Sequence, residues 1–158
     1  AAPVLSGERA IFGSHDGYVY AVNLRDGTPA WRFLAAPADR RHMVLGQLES
    51  AWPVFGVTLD EGKLYFSAGR HAELDGGVRF YCLDPATGQM KWHVKYLCGL
   101  TSHDDPPRST AERNKRIIND IVEVRDGKVW LFEQAVVDLA DPKDAIVNPE
   151  TLVPPGLR

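Results

Sequence analysis

The chain writes one twelve-residue phrase twice. "YAVNLRDGTPAW" occupies residues 20 to 31, and "YCLDPATGQMKW" occupies residues 81 to 92. Without a gap, Tyr20 falls on Tyr81, Val22 on Leu83, Gly27 on Gly88 and Trp31 on Trp92. A repeat of this length restricts the chain to a row of similar units, each too small to bury its apolar face alone and each covering its neighbour.

Around both copies apolar and polar residues alternate with period two, and helical periodicity is weak. "APVLS", Arg9–Ser14, Gly17–Leu24 and Pro29–Ala35 read as four strands joined by tight turns. A second set follows in "WPVFGVTL", "KLYFSAG", "GVRFYCL" and "QMKWHVKY". A third begins with "IINDIVEV" and the single long run "DGKVWLFEQAVV", whose "DGKVW" echoes "EGKLY" at 61 to 65. After Asp138 the pattern fades. Each unit is thus a four-stranded antiparallel meander, the last with two strands legible. Gly27 and Gly88 stand where a hairpin loop takes a left-handed residue, and Asp26, Asp84 and Thr87 can bond the turn backbone. Trp31 and Trp92 fall on the fourth strands, where a large ring covers the seam between sheets; both are expected to be largely buried. Only "RSTAERNKR", 108 to 116, has the caps and helix formers for a short helix.

Length and composition fit one ordinary globular domain. The 158 residues are 44% hydrophobic and 25% charged. A net charge of −3 and a pI near 5.9 provide no basic footprint for nucleic acid or anionic membrane. No apolar run approaches the ~20 residues of a membrane-spanning helix. The chain opens on Ala1 rather than Met and reads as a processed product or an excised piece. Cys82 and Cys98 form neither a metal nor a haem-attachment spacing, and two buried thiols are expected rather than a bridge.

The stretches Gly13–Trp31 and Phe80–Trp92 resemble the PQQ-like (quinoprotein-type) repeat, which builds propellers of quinoprotein dehydrogenases and a propeller lipoprotein of bacterial outer-membrane assembly. Residues 30 to 88 are also similar to multi-blade propeller proteins of planctomycete-type bacteria. The resemblance implies an all-β fold of β-propeller blades, with two whole blades and a partial third inside a larger propeller. The blades are residues 1–35, 51–96 and 117–138, with crossover loops at 36–50 and 97–116 and a Pro-rich tail or linker at 139–158. Propellers have four to eight blades, so the remaining blades or further copies of the chain are the expected partners. It also implies an extracytoplasmic setting, in the periplasm or cell envelope.

Blade topology sorts the loops by side. First-to-second and third-to-fourth turns share one face and are minimal. Second-to-third loops and connections to the next blade share the other, which carries every long segment, and long loops on a rigid scaffold are where binding concentrates. The candidate ligand-binding residues there are Arg40, Arg41, His42, Glu49, His71, Glu73, Asp75, His103 and Asp104. Arg40, Arg41 and His42 suit a carboxylate or phosphate; alternatively they are solvated or pair with Glu49. His71, Glu73 and Asp75 offer metal-ligand types without a recognised spacing, and "SHDD" at 102 to 105 offers more, against the plainer reading of polar turns. Trp52 reads as core at a strand start or as a ring for ligand stacking.

Two functions are consistent with this pattern. In one, the chain is a binding and scaffold module that recognises a ligand or protein partner through the crossover-loop face. In the other, it is part of a quinoprotein-type oxidoreductase whose cofactor site lies in other blades. Such enzymes clamp pyrroloquinoline quinone (PQQ) with an adjacent cysteine pair, a stacking tryptophan and a calcium ion; this chain has no adjacent cysteines and no haem-attachment or G-x-S-x-G motif. The scaffold reading is preferred, with no cofactor of its own.

Overall fold

A computed structural model describes residues 1–71, 75–96, 119–132 and 134–143. Every regular element among them is a strand, and every pairing is antiparallel. The first sheet runs in chain order through β1 (Val4–Ser6), β2 (Arg9–Gly13), β3 (Tyr18–Asn23) and β4 (Pro29–Leu34). The second is built the same way from β7 (Val57–Asp60), β8 (Lys63–Ala68), β9 (Val78–Leu83) and β10 (Met90–Tyr96). The third has β11 (Glu123–Arg125), β12 (Lys128–Leu131) and β13 (Gln134–Asp138). Strands β1 and β7 approach each other, as do β7 and β11, so the first strands of the three sheets lie together.

Three expectations are revised. Residues 36 to 50 are not simply a loop: β5 (Arg41–Val44) and β6 (Gln47–Ser50) form a hairpin. The second unit's first strand begins at Val57, because Trp52 to Gly56 run as an irregular segment, buried except for half-buried Phe55. In the third unit, "DGKVWLFEQAVV" is two strands rather than one, because Phe132 takes a left-handed φ of 56° and reverses the chain. The helix expected at 108–116, and residues 144–158 of the tail, lie outside the described residues.

The sheets stack face to face, and the same positions do the packing at each seam. From the first sheet Ile11, Val19 and Ala21 meet Leu64, Phe66, Tyr81 and Leu83 of the second. From the second sheet the equivalents Tyr65, Phe80 and Cys82 meet Val129, Leu131 and Val137 of the third. Alternation explains this: successive side chains on β8 and β9 point to opposite faces, so a strand buried on both sides is apolar at nearly every position.

The repeated tryptophans are half-buried rather than largely buried, because each stands on the outermost strand, at the rim of its seam. Trp31 donates its indole N–H to the carbonyl of Pro85 at 3.1 Å. A β-carbon at Gly88 would come within 2.7 Å of the same ring. The second copy of the phrase receives the tryptophan of the first at its turn, while its own Trp92 packs at the next seam.

Candidate functional site

The second-to-third turns and inter-sheet connections meet on one side through backbone hydrogen bonds. Ser50 N donates to His15 O at 2.8 Å, Ala51 N to Arg40 O at 2.8 Å, and Val54 N to Ser14 O at 3.0 Å. Gly17 permits the approach, since a β-carbon there would stand 2.7 Å from Ser50 Oγ. The β5–β6 hairpin is thereby seated across the turn of the first sheet.

Two carboxylates fix the hairpin. Glu49, on β6, accepts from Arg70 Nη2 of the second sheet and from His15 Nδ1 of the first at 3.1 Å. Its side chain is only 10% exposed. The hydrogen bond from Arg70, with support from His15 and against the opposing effect of burial, holds its carboxyl below the ordinary value. Asp75, after β8, pairs with Arg40 Nη1 at 2.8 Å and lies 3.5 Å from His42 Nε2. Its backbone carbonyl accepts the Trp52 indole N–H at 3.0 Å, so Trp52 is a buried ring tied to the loop. Arg41 turns outward to Asp39 at 3.0 Å.

The structure therefore brings Arg40 and His42 to Asp75 at the hairpin base, while Glu49, on the strand paired with that of His42, is held separately by Arg70 and His15. Arg41 is set apart from them. His71 is half-buried nearby. Glu73, His103 and Asp104 lie outside the described residues, as does Cys98. Sequence reasoning missed His15, Arg70 and Asp16. Asp16 accepts from Tyr20 at 2.6 Å and from Tyr18 N at 3.0 Å; the bond to Asp16, followed by burial, pushes the Tyr20 phenol up to about 12. The "HDG" turn that carries His15 and Asp16 was legible, but partners 34 residues apart, such as His15 and Glu49, leave no local signal.

Among the side chains that the hairpin leaves outward, three are apolar. Met43 is 70% exposed, Leu48 58% and Leu45 fully exposed, and Leu45 has a left-handed φ of 46° at the hairpin tip. A hydrophobic residue held at such a φ in full solvent is strained without a packing return.

A clamped quinone does not fit the described residues. Cys82 is a free thiol sealed between the second and third sheets, where burial, partly offset by Lys63 and Lys91, pushes its ionisation up. Among the described residues no three His, Cys, Asp or Glu side chains converge as metal ligands, and Trp52 is buried rather than open for stacking. No described helix is long and apolar enough to cross a membrane. No protein-family model matches the chain, and no curated protein is significantly similar to it.

Proposed function

We propose that the chain is a binding and scaffold module, its sheets consecutive blades of a PQQ-like repeat propeller in the cell envelope of a bacterium. The recognising surface is the crossover-loop side, with the tip of the β5–β6 hairpin as its contact element. The pinned hairpin carries this reading. Glu49 and Asp75 anchor its base to two sheets, while Met43, Leu45 and Leu48 point into solvent. A rigidly held apolar tip loses little freedom on binding, which favours recognition of a protein surface. The blade assignment is supported by the equivalent seams on both faces of the second sheet and by the gathering of β1, β7 and β11.

The test is a Leu45→Asn chain compared with the natural one in cross-linking to envelope proteins. Asparagine suits the left-handed position, so the fold is kept while the apolar contact is lost. A protein captured by the natural chain and released by the substitution supports the module. Equal capture by both chains, or no capture by either, counts against it. In a parallel arm the chain is incubated with PQQ and calcium and then gel-filtered. Quinone absorbance that travels with the protein would favour the oxidoreductase alternative.

A further inference from the structure

The face of the β5–β6 hairpin that meets solvent is set by the face that holds it. His42 and Glu49 stand opposite each other across the two strands. Both point toward the sheets, His42 to Asp75 and Glu49 to Arg70 and His15. Successive side chains of a strand alternate. The next pair toward the tip, Met43 and Leu48, therefore turns away from the sheets. These two side chains are 70% and 58% exposed and form, with Leu45, the apolar surface of the tip.

Met43 belongs to neither apolar seam. Its thioether is open to solvent, lies on a contact surface, and is outside the packing between the sheets. A chemical change at this sulfur can alter the surface without opening a seam. The chain's second methionine, Met90, opens β10 opposite Leu83 and is 48% exposed. It stands outside the hairpin and is a reference within the same molecule.

We propose that Met43 is an oxidation site that controls the hairpin tip: a peroxide converts its thioether to the sulfoxide and withdraws the apolar contact while the fold stands. A sulfur lone pair attacks one peroxide oxygen and the O–O bond breaks. The second oxygen leaves as water from hydrogen peroxide, or as an alcohol from an organic hydroperoxide. Sulfur loses two electrons and the peroxide gains them. The product places a polar, chiral S=O beside Leu48, and burying that oxygen costs free energy wherever the partner offers no donor. A dithiol-dependent sulfoxide reductase reverses the change, releasing the oxygen as water and forming a disulfide. The control of binding rests on the reading of the hairpin tip as the contact element; the site of oxidation does not.

The experiment uses the full chain with Met90→Leu, a volume-conserving change that leaves Met43 as the only thioether. Treatment with hydrogen peroxide is followed by peptide mass spectrometry, thermal denaturation and native retention on a phenyl column. Met43 should gain one oxygen in the folded chain, retention should shorten, and the melting temperature should not move. Sulfoxide reductase with dithiothreitol should restore the retention. A Met43→Leu chain, which carries the same cysteines, should keep its retention under the same treatment. In cross-linking to envelope proteins, oxidation should lower capture of the protein that Leu45→Asn also releases by at least about fivefold, the order for removing one apolar anchor. No capture by the untreated chain would remove the contact reading alone, and the column would still decide for or against the oxidation site. Resistance of Met43 to peroxide until the chain unfolds, a fall in melting temperature on oxidation, or retention or capture indifferent to the sulfoxide would overturn the proposal.

Discussion

The indole of Trp31 closes on Gly88 so tightly that a β-carbon added to the glycine would stand 2.7 Å from the ring. Gly27, its counterpart in the first sheet, has nearly the same φ, +71° against +73°, but open space above it. The two positions separate backbone strain from close approach. Gly27→Ala should cost about 1 kcal/mol, the penalty of a left-handed alanine. Gly88→Ala should cost about 1–3 kcal/mol more, because the rim of the seam must open. Urea melts of the two variants make the comparison; equal losses would mean that the ring gives way freely.

Glu49 links stability to pH with a definite sign. Its carboxyl is held below the ordinary 4.5 by Arg70 first, and the unfolded chain has no such partner. The stabilisation is therefore fully present above about 4.5, the unfolded value, and is lost as pH falls through the lowered folded value. Glu49→Gln should cost about 2 kcal/mol at neutral pH. In acid the natural chain should fall toward the variant, so the gap between their melts narrows. A gap independent of pH would contradict an ionised Glu49 holding the hairpin.

Leu45 makes a prediction of the opposite direction. Asparagine tolerates the left-handed φ that leucine strains to hold, and the pair then reads Asn-Gly, the preferred two-residue hairpin turn. Leu45→Asn should raise stability by about 0.5–1 kcal/mol. Thermal denaturation checks it.

Cys82 should be inert in the folded chain. Its thiol is buried and its ionisation raised, and the thiolate is the reactive form. With Cys98 replaced by Ser, a thiol reagent should label Cys82 only in denaturant. Rapid labelling under native conditions would show that the seam between the second and third sheets opens readily.

Self-association is expected at working concentrations. The Phe12–Tyr20 face is half-exposed, and Leu5 and Leu34 beside it are 63% and 38% exposed. Sedimentation in the low micromolar range should show concentration-dependent mass and exposed-hydrophobe dye binding. A monodisperse monomer with a cooperative melt and no dye uptake would argue against an incomplete stack.

The strands were legible because period-two alternation and left-handed turn glycines are local signals; β2 to β4 and β8 to β10 lie almost where the pattern puts them. Two features were not. The β5–β6 hairpin hides in a segment that reads as polar loop, because its turn residue Leu45 violates the usual turn chemistry. The site partners of Glu49 come from two different sheets, and such pairing is decided by stacking rather than by neighbours in sequence. The depth of Trp31 was overstated because alternation identifies the face a residue points to, not how near the rim its strand lies.

Asn119 sets how the third sheet can leave the second. Its buried side-chain amide donates to the carbonyls of Pro53 at 3.3 Å and Gly69 at 2.7 Å and accepts from Ser67, and its backbone N–H donates to Arg70 O at 3.0 Å. One side chain thus stitches the third unit to the second by links that do not run through the chain joining them. A protease cut between Tyr96 and Asn119 would divide the polypeptide yet leave its halves travelling as one particle. Separating them would require disrupting this polar rivet together with the apolar seam beside it.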